Sequence, residues 1–338
     1  MQQSVAMTTL LPPDARIFVA GHRGLAGSAI ARQLADQGYE VLTRTRAELD
    51  LRDADATLRH LRDTRPDAVV LAAATVGGIL ANDRYPVPFL EDNLRIQLSV
   101  IAGAHAANVN RLLFLGSSCI YPKHAPQPIR EDALLTGPLE PTNEPYALAK
   151  IAGISQVRSY RRQFGRSYVV ALPTNLYGPG DTFDPENSHV LPALIRRFHE
   201  ARRDGRGEVT LWGTGTPRRE FLHSDDLGRA CVTLLRDYDG DSPVNVGVGE
   251  DLTIAELAAV IAEAVGFTGR IAWDPSKPDG TPRKLLDVSR LAALGFTPRM
   301  PLPRGVRETY DWWLAEGEAA ERPRRYATPS QEDDTGHQ

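Results

Sequence analysis

The sequence predicts an α/β fold, a doubly wound parallel sheet followed by a smaller C-terminal α/β unit. Three observations predict it. Short, continuous apolar runs alternate with amphipathic ones through the first half of the chain. A glycine-rich turn joins the first apolar run to the first amphipathic run, and the alternation breaks after residue 175. Apolar strands separated by helices and covered on both faces make a parallel sheet.

Each element follows in order. Arg16–Ala20 (RIFVA) is a short buried strand, and 28–37 is an amphipathic helix that Gly38 ends. Residues 40–43 form a second strand. Residues 51–64 form a polar helix led by Asp50, a residue type whose carboxylate accepts from free helix N–H groups. Residues 68–72 (AVVLA) are a third strand, 93–107 a helix, and 111–116 (RLLFLG) a fourth strand. A long helix over 145–164 and a fifth strand over 168–172 (YVVAL) complete the first half. Residues 175–184 are rich in Gly, Pro and Asp and read as loop. Val190–Arg203 is a helix with four arginines, and Val244–Val246 is the last sheet strand. Thr253 caps a helix over Ile254–Val265, with Glu256 on its first turn. A Pro/Gly loop over 276–283 and a helix over 304–316 follow.

Composition excludes several classes. The 338 residues suffice for a large core without staples, and the net charge of −4 lacks the basic excess of a nucleic-acid binder. Cys119 and Cys231 are too few for a disulfide framework or a cysteine metal cluster, which fits a reducing, cytoplasmic compartment. The N-terminus lacks a basic start, and no run approaches the about 20 apolar residues of a membrane span, so neither a secretory signal nor a membrane anchor is expected.

The first strand runs into Gly21-His-Arg-Gly24-Leu25-Ala26-Gly27 and then a helix. Small residues there let a pyrophosphate approach free N–H groups and the positive end of the helix dipole. A glycine triplet alone is a weak signal. Its place between strand one and helix one makes it a dinucleotide loop of Rossmann type. NAD sites carry an acidic residue at the end of strand two, where this chain has Arg44 and Arg46. Guanidinium groups suit the 2′-phosphate of NADP, and Arg23 inside the loop adds a third, so NADPH is the expected cofactor.

Strand four ends at Leu115-Gly116-Ser117-Ser118-Cys119, and Tyr146 and Lys150 stand four apart on the long helix, on one face. Ligands of such sheets bind beyond the carboxyl ends of the strands. A lysine charge is expected to lower the phenol pKa, so that Tyr146 exchanges a proton with a carbonyl oxygen while Ser117 hydrogen-bonds it. Tyr and Lys at this spacing recur by chance on helices; the strand-end serine and the glycine loop give the pair its meaning.

On these residues the chain resembles the extended short-chain dehydrogenase/reductase family from about residue 16 to 314, with Arg219-Glu-Phe-Leu-His223-Ser-Asp225 as a late motif. More specifically, it is similar to the GDP-L-fucose synthases. The segments GSSCIYP (116–122), EPTNEPY (140–146), PTNLYG (173–178), NSHVLP (187–192) and SKPDGTPRK (276–284) carry that resemblance. The resemblance implies inversion of C3 and C5 of GDP-4-keto-6-deoxy-D-mannose and NADPH-dependent reduction of its C4 ketone. It assigns Cys119 as base and His189 as acid, beside Ser117, Tyr146 and Lys150. Lys150 is the expected cation beside the Cys119 thiol. Without the resemblance Cys119 reads as a small buried hydrophobe and His189 as a helix cap or surface residue; Cys231, in an apolar helix, keeps the packing role.

For the cofactor the resemblance implies Gly21, Arg23, Gly24, Leu25, Ala26, Gly27, Arg44, Arg46, Asp50, Leu51, Leu115, Gly116, Ser117, Ser118, Lys150, Pro173, Thr174, Asn175, Leu176 and His189. For the substrate it implies Asn175, Arg197, Trp212, Arg219 and Asp279: arginines for the diphosphate, Trp212 for the base or sugar. It further implies a nucleotide-binding Rossmann domain over 15–175 plus about 221–248 and a substrate-binding domain over about 176–220 and 249–316; residues 1–14 and the polar, Pro- and charge-bearing 322–338 are expected to be flexible tails. Family members pair as homodimers through helices that correspond to 93–107 and 145–164, in a four-helix bundle. A 4,6-dehydratase would carry an acidic pair where Ser118-Cys119 stand, a 4-epimerase would not need Arg44 and Arg46, and a non-catalytic dinucleotide sensor would not need Tyr146 or Lys150.

Overall fold

The computed structural model describes residues 10–184, 188–277 and 279–317. Its first half runs β1 (Arg16–Ala20), α1 (Leu25–Asp36), β2 (Glu40–Leu42), α2 (Ala54–Thr64), β3 (Ala68–Leu71), α3 (Ile79–Arg84), α4 (Pro86–Ala106), β4 (Arg111–Leu115), α5 (Glu144–Phe164) and β5 (Ser167–Pro173). There follow β6 (Asn175–Tyr177), α6 (Val190–Arg203), β7 (Glu208–Trp212), β8 (Arg218–Arg219), β9 (Phe221–His223), α7 (Ser224–Asp237) and β10 (Val244–Val246). The chain ends with β11 (Leu252–Thr253), α8 (Ile254–Val265), β12 (Arg270–Asp274), β13 (Arg283–Lys284), α9 (Ser289–Ala293) and α10 (Leu302–Glu316).

Six strands form one parallel sheet in the order β2-β1-β3-β4-β5-β10. The chain moves outward from β1 to β2, then returns to the other side of β1 for β3. The crevice at that switch point, beyond the carboxyl ends of β1 and β3, is where such sheets bind ligands.

Alternate residues of each strand feed two cores, because side chains on a strand point to opposite faces. Ile17 and Val19 join Ile30, Leu34, Leu227 and Leu234 of α1 and α7 on one face. Phe18 joins Leu61, Val100, Ile101 and Ile154 of α2, α4 and α5 on the other. Each such fully buried side chain contributes roughly 2 kcal/mol against the ordering entropy. A third core lies among α6, α8 and α10, with Phe198, Leu257, Ile261, Val306 and Trp313 buried in it.

The observed elements correct three sequence expectations. First, α2 begins at Ala54, and Asp53 rather than Asp50 caps it, accepting from Ala56 N at 2.9 Å. Asp50 is taken by Arg52 (Nη2–Oδ2 2.6 Å), whose Nη1 reaches Asp92 at 3.0 Å. Second, α4 starts at Pro86, not residue 93. Two prolines occupy its opening turn, where no N–H is needed for the helix ladder. Third, the expected loop over 175–184 begins with a strand, β6, that pairs in parallel with β9. By contrast α6, β10 and α8 have the expected bounds, and α8 carries a complete Thr253–Glu256 capping box. The sequence-expected tails lie mostly outside the described residues.

Candidate active site

The glycine loop closes on itself. Gly21 has a φ of +95°, and a Cβ there would stand 2.6 Å from Ala73 N, just past β3. A Cβ on Gly27 would stand 2.1 Å from the Gly21 carbonyl oxygen, so the first turn of α1 rests against the end of β1. Gly24 differs: its nearest neighbour to an added Cβ is 3.6 Å away, an ordinary contact. The protein's own packing therefore leaves room at Gly24, the N-cap of α1. Its bare backbone fits the close approach of a phosphate to the first-turn N–H groups of Leu25, Ala26 and Gly27. No acidic residue stands in that turn to repel an anion.

Arg44 and Arg46, just beyond β2, are exposed, as is Arg23. Arg23 and Arg44 both lie within electrostatic reach of Glu48, whose carboxylate is held below its ordinary range chiefly by hydrogen bonds from Thr45. This exposed basic group beside the loop suits a further phosphate. Asp50 and Leu51 lie next along the same rim, with Asp50 held low mainly by Arg52.

At the end of β4, Ser117 caps a single 3-10 turn over Ser118–Ile120, and its Oγ accepts from Cys119 N at 3.2 Å. The Ser117 hydroxyl also lies close enough to the Tyr146 phenol to act on its proton. Lys150, one turn along α5, donates from Nζ to the Leu115 carbonyl oxygen at 2.8 Å and lies 4.9 Å from the Phe114 ring. Tyr146 and Lys150 are both buried. Ser117, Cys119, Tyr146 and Lys150 are thus assembled where β4 ends and α5 begins, with Ala81, Phe89 and Tyr85 as an apolar wall.

Two electrostatic expectations are corrected. The Tyr146 phenol is pushed above its ordinary value, by burial first and by Cys119 second, with the Ser117 hydroxyl working the other way. Burial also pushes Lys150 down to about 7, so the lysine is a weaker source of positive charge than its residue type implies. Nor is Lys150 the cation at Cys119. That cation is Lys284 of β13, whose Nζ donates to Cys119 Sγ at 3.7 Å. Local spacing gave no sign of this contact, which spans 165 residues. Cys231 is fully buried in α7, and burial pushes its thiol up, in keeping with a packing role.

His189 is exposed at the N-cap of α6, and its side chain does not cap the helix. Asn175 Nδ2 donates to the Glu220 carbonyl oxygen at 2.8 Å, and Thr174 Oγ1 donates to the same oxygen at 3.3 Å. Pro173 is buried at the end of β5, and Leu176 is half-buried in β6. Glu220, which sequence reasoning missed, is a buried anchor: Oε1 accepts from Val248 N and Gly249 N at 2.6 and 2.7 Å, Oε2 from Leu286 N at 3.1 Å.

On the α6–β7 side, Arg197 is exposed and donates to the Thr210 carbonyl oxygen at 3.3 Å, while Trp212 is 59% exposed, an aromatic face open to a ligand. Burial lowers the pKa of Arg219, and no carboxylate among the described residues pairs with it. A half-buried guanidinium whose Nη1 donates to the Arg218 carbonyl oxygen at 2.8 Å has donors left for an anion. Asp279 is already engaged, accepting from Thr214 N at 2.7 Å and from Thr214 Oγ1 at 2.8 Å. Among the described residues no group of His, Cys, Asp or Glu is placed to hold a metal ion, and no helix is long and apolar enough to cross a membrane.

The family model described as the NAD dependent epimerase/dehydratase family matches residues 17–249, from β1 to just past β10. The chain belongs to that family. Within the epimerase/dehydratase family it is 57% identical over 310 residues to GDP-L-fucose synthase 1 of Arabidopsis thaliana, covering 91% of this chain and 96% of that protein. It is 54% identical over 309 residues to GDP-L-fucose synthase of Escherichia coli K12, covering 88% and 96%. Among solved structures, a GDP-L-fucose synthetase from Naegleria fowleri bound to NADP superposes with a TM-score of 0.85 at 29% identity, covering 93% of this chain and 99% of that one. The stretch matched by the epimerase/dehydratase model takes in the glycine loop, the Ser117–Tyr146–Lys150 set, Cys119 and His189.

Proposed function

We propose that this chain converts GDP-4-keto-6-deoxy-D-mannose into GDP-L-fucose, inverting C3 and C5 and then reducing the C4 ketone with NADPH. The observation that carries this reading is the Cys119 thiol beside the Ser117–Tyr146 pair. Ser and Tyr make a carbonyl-oxygen site, and simple reduction has no use for a further acid–base group next to it. The high identity to GDP-L-fucose synthases supports the choice of sugar.

The protons on C3 and C5 flank the ketone, so removing either leaves an enolate, which Ser117 and Tyr146 stabilise by hydrogen bonds to O4. At each carbon in turn Cys119 takes the proton and His189 returns one on the other side of the ring, the thiol giving up its proton to water and the imidazole regaining one between the two inversions. Tyr146, held protonated by burial, then gives its proton to O4 during reduction. NADPH bound at this site supplies the hydride. Gly21 to Gly27 hold its pyrophosphate, Arg23, Arg44 and Arg46 its 2′-phosphate, and Asp50 and Leu51 its adenosine. Leu115 to Ser118, Lys150, Pro173 to Leu176 and His189 line its nicotinamide half.

Arg197 and Arg219 bind the substrate diphosphate, Trp212 stacks on base or sugar, and Asn175 and Asp279 complete that pocket, Asp279 chiefly by fixing the Thr214 turn. In this reading residues 15–175 with 221–248 form the nucleotide-binding part, and 176–220 with 249–316 the substrate part. The protein works in the cytosol, where the Cys119 thiol stays reduced, as a homodimer through α4 and α5. These two helices pack together, with Gln97 donating to the Ala149 carbonyl oxygen at 2.6 Å, and they leave Leu98 and Leu148 exposed at 55% and 45%. The test is product identity by NMR after incubation with the keto sugar and NADPH. GDP-L-fucose is expected; a reduced sugar that keeps the D-manno configuration at C3 and C5 would contradict the reading.

A further inference from the structure

The Lys284–Cys119 contact is set by rigid surroundings. Lys284 pairs in register with Arg219 across β13 and β8, so one small sheet places both the cation at the thiol and the guanidinium proposed for the diphosphate. The backbone around Lys284 is fixed on both sides. Arg218 N donates to the Pro282 carbonyl oxygen at 2.8 Å, Leu285 N to Gln127 Oε1 at 2.8 Å, and Leu286 N to the buried Glu220 carboxylate at 3.1 Å. Ile129 N donates to the Leu285 carbonyl oxygen at 2.7 Å. Lys284 is half-buried, and no carboxylate among the described residues pairs with it.

Among the described residues, the other groups facing the sulfur offer no positive charge at that distance. Tyr146 of α5 presents a phenol, and Ser117 a hydroxyl. Lys150 stands behind Tyr146 and is directed at the Leu115 carbonyl oxygen. Val76, Ala81, Tyr85 and Phe89 form the wall, and the Arg84 guanidinium lies over the Tyr85 ring, 5.4 Å from its centroid.

We propose that Lys284 is a positioning residue for Cys119, whose ammonium holds the sulfur as a thiolate aimed into the site. A thiolate is the form that acts as base, and a cation at contact distance favours it. The inference rests on the reading of Cys119 as the base. In the step itself the sugar C–H proton moves to sulfur, the electron pair of that bond moves toward the carbonyl oxygen, and Lys284 remains an ammonium throughout.

The test is the rate at which iodoacetamide alkylates Cys119 in the full chain, read by mass spectrometry, for the unaltered protein, Lys284→Met and Lys284→Arg. At about pH 7, Lys284→Met should slow alkylation roughly tenfold or more, because each unit of thiol pKa is a tenfold change in thiolate. Lys284→Arg should keep most of the rate, and all three should converge near pH 10, well above the ordinary thiol value of about 8.5. Equal rates at pH 7 would overturn the proposal. So would a loss of the same size at both pH values in Lys284→Met, which would mean that the sulfur had only moved. Deuterium exchange at C3 and C5 of the keto sugar, run alongside, separates the two readings: a thiolate that depends on Lys284 in a protein that exchanges nothing would remove Cys119 as base and leave its tie to Lys284 standing.

Discussion

Lys150 Nζ donates to the Leu115 carbonyl oxygen at 2.8 Å and so ties the start of α5 to the end of β4. The bond holds a buried amine whose pKa burial lowers from 10.5 to about 7. Between those values the folded chain leaves the amine neutral while the unfolded chain protonates it. The unfolded state then binds more protons, so this group's contribution to stability rises with pH across that window, and its burial cost is full below about pH 7. The Leu115 oxygen and the Phe114 ring favour the ammonium and narrow the window. Urea midpoints at pH 7 and 9 should therefore differ less in Lys150→Met than in the unaltered protein. A steeper change in the variant would contradict this.

Gly24 and Gly27 should separate cofactor binding from folding. A methyl on Gly27 meets the Gly21 carbonyl oxygen at 2.1 Å, so Gly27→Ala must displace backbone, and thermal denaturation should show a loss of about 1–3 kcal/mol. Gly24→Ala meets only an ordinary contact at 3.6 Å. Its melting temperature without NADPH should stay near that of the unaltered protein, while NADPH binding, measured by calorimetry, weakens sharply. Unchanged NADPH affinity in Gly24→Ala would remove the phosphate from that position.

Arg44 and Arg46 should set the choice between NADPH and NADH. Charge-assisted hydrogen bonds contribute about 1.5–3 kcal/mol each, so Arg44→Ala should weaken NADPH binding roughly tenfold to a hundredfold and leave NADH binding nearly unchanged. Equal losses for both cofactors in a binding titration would place the arginine elsewhere on the cofactor.

Arg219 carries a half-buried charge with no carboxylate partner among the described residues. Arg219→Met should therefore keep or raise the unfolding midpoint of the substrate-free protein, while KM for the GDP-sugar rises at least about tenfold. A destabilised variant with unchanged KM would make Arg219 a structural residue.

The sequence made the parallel sheet legible because its strands are continuous apolar runs and its helices have strong periodicity. The 21-residue helix α5 and the capping box of α8 were readable locally for the same reason. The start of α4 was not, because Pro86 and Pro88 resemble a loop until packing places them in a first helical turn. Strands as short as β6, β8 and β13 have no periodicity to read; they exist through partners distant in sequence. The same holds within the site. Ser117, Tyr146 and Lys150 were visible from spacing, whereas Lys284 reaches Cys119 only through the pairing of β13 with β8. The direction of the Tyr146 shift was missed because depth of burial, which raises the phenol and also weakens the neighbouring lysine's charge, is not written in a four-residue spacing.

One measurement bears most directly on a single site that both epimerises and reduces. The protein is mixed with GDP-4-keto-6-deoxy-D-mannose and NADPH in heavy water, NADPH absorbance is followed, and the product is examined by NMR. NADPH loss with deuterium at C3 and C5 of GDP-L-fucose is expected, as is loss of that deuterium in Cys119→Ser. NADPH loss with no ring deuterium in the unaltered protein would contradict it, leaving a plain ketone reductase and taking Cys119 and His189 out of the chemistry.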